Sequence, residues 1–183
     1  VPVVAALPAV FIDRAGPAED PARGRYGETY WLRRLLAPRG PAGGKPLVSI
    51  RHTTVDRLDR AMLEDARLVV LAGVADPDPA VDLLWQYVRQ GGALVIAAGG
   101  AFDPVQWNEA AWASEARLLP LPLADAPQGR TPDRAGAALN PFQLDPATML
   151  DPWFRLAQAS DEALADLYRL PFFFKTVVAE END

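Results

Sequence analysis

The chain has 183 residues, half of them apolar and 23% charged, with a net charge of -6 and a pI near 4.8; that is enough to bury a core without covalent staples. The acidic balance and the lack of any Lys/Arg cluster argue against nucleic acid and anionic lipid as partners, and no apolar run reaches the ~20 residues of a membrane helix. With no cysteine in the chain, disulfides, thiolate metal sites and cysteine nucleophiles are excluded together.

The 18 prolines and 13 glycines punctuate periodic apolar segments without erasing their period, so one domain over residues 1–183 is expected. In Val1–Ile12, Pro2 and Pro8 limit ladder bonding, and Ala9–Ile12 is the expected buried strand, ending at Asp13. A loop follows. Gly27–Ala37 is expected to be a helix with Tyr30, Trp31 and Leu35 on one face and Glu28 in its first turn. Pro38 stops it, and Arg39–Pro46 reads as a linker.

Leu47–Ile50, continuing through Arg51, His52 and Thr53, reads as a second strand. Val55–Leu63 suits a helix capped by Thr54 or Asp56. Arg67–Ala72 is a continuous apolar run of the kind found in a central parallel strand. Pro79–Gln90 carries the clearest helical signal, with Asp78 as N-cap, Pro79 at the first position, and Val81, Leu84, Trp85 and Val88 on one face. Gly91-Gly92 ends it, and Ala93–Ala97 is the next buried strand. Strand, helix, double glycine and strand form a βαβ unit with a right-handed crossover.

Beyond Gly99-Gly100, Pro104–Trp112 reads as a helix with Asp103 at its N-cap. Leu118–Leu123, with two prolines, suits an edge or an apolar loop. Ala124–Asp151 is rich in proline, glycine and charge and reads as a surface excursion. Ser160–Tyr168 suits a short helix with Asp161 and Glu162 in its first turn, and Phe172–Val178 an edge strand guarded by Lys175.

The ordered segments YGETYWLRRLLAP, LVVLAGV, YVRQGGALVIAAGGAFDPVQWNEAAW, LLPLPL and DLYRLPFFFK resemble the class I glutamine amidotransferase-like domains of large bacterial membrane proteins with an aerotolerance (BatA-like) amino-terminal segment. The resemblance implies a three-layer α/β fold, a mostly parallel sheet with helices on both faces. It also implies a domain excised from a larger, membrane-anchored bacterial protein, of which this segment does not itself span the membrane. In active members, the strand matching Ala93–Ala97 runs into an elbow presenting a nucleophilic cysteine. Here the elbow is IAAGG, and the nucleophile position falls at about Ala98. The family's histidine lies near the carboxyl end, whereas His52 is the chain's one histidine. A nucleophile, base and orienter within hydrogen-bond reach cannot be assembled on that pattern, so a non-catalytic binding or scaffolding domain is expected. Its partner would be a protein or another domain of the same chain.

The alternative is a hydrolase or metal-dependent enzyme using an acidic crevice at the carboxyl ends of the strands, where open α/β sheets bind ligands. Asp13, His52, Thr53, Asp76, Asp103 and Trp107 are the candidate ligand-binding residues, with Asp78 beside Asp76. Against that role, Asp78 and Asp103 are both placed to cap helices. His52 is the candidate general base, with Thr53 or Ser49 as nucleophile. Gly99-Gly100 leads toward a helix N-terminus that suits an anion, yet neither a GxGxxG nor a Walker pattern is present, and no cofactor or resident metal is expected. Trp153-Phe154 and Phe172–Phe174 are candidates for an interface.

Overall fold

The computed structural model describes residues 6–37, 46–132, 140–149, 151 and 160–180. The readings of Pro2, Pro38, most of the 39–46 linker, part of the 124–151 excursion, and Trp153-Phe154 fall outside them. The chain divides into two compact units, Val1–Asp125 with Ala179–Asp183, and Ala126–Val178.

The first unit is α/β. Strands β1 (Leu7–Ile12), β2 (Val48–Thr53), β3 (Leu68–Ala72) and β4 (Ala93–Ala97) form an all-parallel sheet in the order β2-β1-β3-β4. The sequence of β1 explains its central place: Ala9, Val10, Phe11 and Ile12 are all buried, as a strand covered on both faces requires. Alternation sends Ala9 and Phe11 to one side, where they cluster with Val70 and are flanked by Leu36, Val48, Ile50 and Leu68. Val10, Ile12, Val69 and Leu71 turn to the other side and are equally buried.

Helix α1 (Tyr30–Leu36) begins later than the sequence suggests, with Thr29 preceding it. Its inward residue is Leu36, whereas Trp31 and Leu35 are 69% and 74% exposed. The helical face expected to carry Trp31 and Leu35 into the core is therefore turned outward. The expected helix at 55–63 is two pieces, a 3-10 turn Val55–Arg57 and α2 (Arg60–Glu64). Leu58 between them is extended and buried, and Asp59, not Thr54 or Asp56, caps α2 by accepting from the Met62 N–H at 2.8 Å.

Helix α3 (Val81–Arg89) follows a 3-10 turn, Asp78–Ala80, and buries Val81, Leu84 and Tyr87. Asp78 does not cap it; the Asp78 N–H instead donates to Asp76 Oδ1 at 2.9 Å. Val88 is exposed, and Trp85 lies under the Arg89 guanidinium. Gly91, at φ +90°, closes the helix as expected. Helix α4 (Pro104–Trp107) is capped by Asp103 and passes into a π-helical turn, Asn108–Trp112. Leu118–Leu123 forms no strand beyond a bridge from Leu123 to Ala179.

In the second unit, β5 (Gln128–Gly129), β6 (Phe142–Gln143), α5 (Pro146–Met149), α6 (Asp161–Arg169), β7 (Phe172–Phe173) and β8 (Lys175–Thr176) are short. Ser160 caps α6 by accepting from the Ala163 N–H. β7 pairs with β6 and β8 with β5, both antiparallel. The expected Phe172–Val178 strand is thus two small ladders rather than one edge strand.

Candidate functional site

The buried run of β1 ends in Asp13, which leaves the sheet at its carboxyl end with none of its surface exposed. A buried carboxylate must be supplied with donors, and four reach it. Oδ1 accepts from the Gly16 N–H at 2.8 Å and from His52 Nε2–H at 3.0 Å; Oδ2 accepts from the Thr29 N–H at 3.1 Å and from the Thr29 hydroxyl. Burial alone would raise the Asp13 carboxyl. The bonds from His52, Thr29 and the backbone outweigh it and hold the group well below the ordinary carboxylate range.

The network continues outward. Thr29 Oγ1 accepts from Arg33 Nε at 2.9 Å, and the same guanidinium pairs with Glu19, both side chains being largely buried. Three segments are thereby fastened together: the loop after β1, the start of α1, and the end of β2. Gly27 is required by the same packing, because a Cβ there would collide with the Asp13 carboxylate.

Glu28, expected in the first turn of α1, instead precedes the helix and lies across the ends of β3 and β4. A Cβ on Gly73, at φ +63°, would come within 2.7 Å of Glu28 Cγ, and one on Gly100 within 2.9 Å of Oε1. Arg14 Nε stands 3.8 Å from Oε1. Oε2 is buried with no hydrogen-bond partner among the described residues.

A crevice of about 290 Å³ opens outside the carboxyl ends of β1 and β3, lined by Asp13, Arg14, Thr54, Asp56, Gly73 and Asp76 among others. The strand order reverses between β1 and β3, so this is the topological switch point of the sheet. Asp13 and Asp76 belong to its lining; His52, Thr53, Asp103 and Trp107 do not. Thr53 is buried, with its hydroxyl on the Thr54 carbonyl. Asp103 Oδ1 accepts from the Val105 N–H at 3.0 Å, the capping role weighed against a site role. Trp107 is wholly buried, donates from Nε1 to the Val74 carbonyl at 2.8 Å, and stacks on Phe102.

Strand alternation also separates the pairs that nucleophilic catalysis would need. Ser49 and Thr53 lie at odd spacing from His52 on β2, and so face away from it. Among the described residues no group of three or more His, Asp or Glu side chains is gathered to hold a metal ion. β4 leaves the sheet through Ala98, Gly99 and Gly100, none of which carries a reactive side chain.

The residues that sequence reasoning missed are Thr29, Arg33, Glu19 and Glu28. Nothing in their spacing announces them, since Asp13 lies 16 residues from Thr29 and 39 from His52. The one available signal is the glycine in YGETY, set between aromatic and acidic residues where a helix was expected to start. No family model, no curated protein and no solved structure matches the chain.

Proposed function

We propose that this is a non-catalytic, amidotransferase-like α/β domain that binds a protein partner or another domain of the same chain, within a membrane-anchored bacterial protein. The observation that carries the reading is the state of the strand ends. Both oxygens of Asp13 are already engaged by four donors, His52 is one of those donors, and the elbow residue Ala98 has nothing with which to attack a carbonyl. Surface composition adds support for binding. Tyr26, Trp31, Leu32 and Leu35 are exposed around α1, as are Phe172 and Phe173 in the second unit, and exposed apolar groups of this size mark interaction surfaces when they are contiguous. The amidotransferase likeness and the membrane anchor rest on the sequence motifs alone.

The rival reading, an acidic-crevice hydrolase or metal enzyme, draws on one geometric fact, the 3.0 Å approach of His52 to Asp13 at the sheet's switch point. Two measurements separate the readings. Ammonia release from glutamine by the purified chain is expected to stay at the uncatalysed level. Calorimetric titration with Mg²⁺, Ca²⁺ and Zn²⁺ is expected to give no heat of specific binding. Turnover of glutamine, or a stoichiometric metal isotherm lost in Asp76→Asn, favours the enzyme.

A further inference from the structure

The two edges of the parallel sheet are built differently. β2 carries Ser49, Arg51 and His52, and the Arg51 guanidinium donates to the carbonyls of Ala61 and Met62; a charged edge of this kind discourages pairing with another chain. β4, the opposite edge, reads Ala-Leu-Val-Ile-Ala, and the uncharged run around it extends from Gln90 to Phe102. Among the described residues no strand pairs with its outer side. Ala93, Val95 and Ala97 are exposed, Val95 to 48%.

The ladder fixes which backbone groups point outward. The Gly73 N–H donates to the Ala97 carbonyl at 3.1 Å, so Ala97, and by alternation Val95 and Ala93, direct their amide and carbonyl groups toward β3. Leu94 and Ile96 direct theirs away from the sheet.

We propose that β4 pairs antiparallel with β4 of a second copy of this chain, about a two-fold axis at Val95. That register sets Val95 against Val95, Leu94 against Ile96, and Ala93 against Ala97. The outward groups permit it, and it aligns the full length of both strands: Leu94 and Ile96 exchange backbone hydrogen bonds, and the two Val95 residues form the closer, non-hydrogen-bonded pair between them. Each cross-strand contact joins side chains of like size. Charge does not oppose it, because the strand has none to repel its copy. One five-residue strand buries less than the ~1,200–2,000 Å² of a standard interface, so the association is reversible and follows concentration.

Sedimentation velocity from the micromolar to the millimolar range is expected to show the mass rising from 19.8 kDa toward twice that value. Val95→Lys and Val95→Glu proteins are each expected to stay monomeric where the parent is dimeric, since position 95 meets itself. Mixing the two in equal amounts is expected to restore the dimer, a rescue that misfolding cannot produce. Residue-resolved hydrogen exchange is expected to slow with concentration at the amides of Leu94 and Ile96, and not at Val95, whose N–H is already in the β3 ladder. A parent protein that stays monomeric throughout overturns the proposal. So does a Lys/Glu mixture that fails to associate, or slowing confined to amides away from β4.

Discussion

Asp13 has no exposed surface and four hydrogen-bond donors, and this decides how it should respond to acid. Its carboxyl is held below the ordinary range by those donors, so the folded chain binds this proton more weakly than the unfolded chain does. The stability it contributes is complete above the unfolded carboxylate value of about 4 and is lost as pH falls toward the lower folded value. The urea midpoint is therefore expected to fall below about pH 4 more steeply in the parent than in Asp13→Asn, which has no carboxyl to protonate. Parallel slopes in the two proteins would mean that Asp13 is not the group responsible. Gly27 answers to the same carboxylate. Gly27→Ala places a methyl group where the Asp13 oxygens sit and is expected to cost about 2 kcal/mol, as overpacking of a filled site does. An unchanged urea midpoint would show that the loop yields freely.

At the scale of elements, the stretch from β3 through α3 to β4 was legible because its periods are uncontaminated: a buried run, an amphipathic helix closed by glycine, a second apolar run. That last strand, expected to be buried, instead alternates exposed and half-buried residues because it is the edge of the sheet. α1 was legible as a helix but not in phase. Thr29 gives both its N–H and its hydroxyl to Asp13, which moves the helix start past Gly27 and turns Leu36 inward while Leu35 faces solvent. Such a phase is set by a long-range bond that no local pattern records. Leu36→Ala is accordingly expected to lower stability by about 2 kcal/mol, near the low end for a core leucine because the residue is only partly buried, while Leu35→Ala stays within about 0.5 kcal/mol. Chemical denaturation of the two variants checks this, and equal effects would contradict the observed phase. The break at Leu58 has a similar cause. Its side chain is wanted in the core in an extended conformation, so a helical sequence is interrupted and restarted at Asp59.

For the whole molecule, a parallel α/β sheet was readable from the βαβ unit, and its switch point follows from the strand order. Asp13 and His52 were readable as strand-end residues, but their meaning was not. Sequence spacing placed both near a crevice; the structure places Asp13 in its wall and ties His52 to Asp13, alongside Thr29, Arg33 and Glu19. On the proposed reading, this network holds the fold and performs no chemistry. Active sites carry strain, so replacing their polar residues commonly leaves stability unchanged or raises it, whereas removing one partner of a buried, fully bonded group lowers it by about 3–5 kcal/mol. The direct measurement is a double-mutant cycle in urea with Asp13→Ala, His52→Ala and the pair. Both single variants are expected to be destabilised, Asp13→Ala the more, with a coupling of about 1–3 kcal/mol between them. Variants as stable as the parent, or more so, with additive effects would contradict a structural role for the network and return these two residues to the role of machinery.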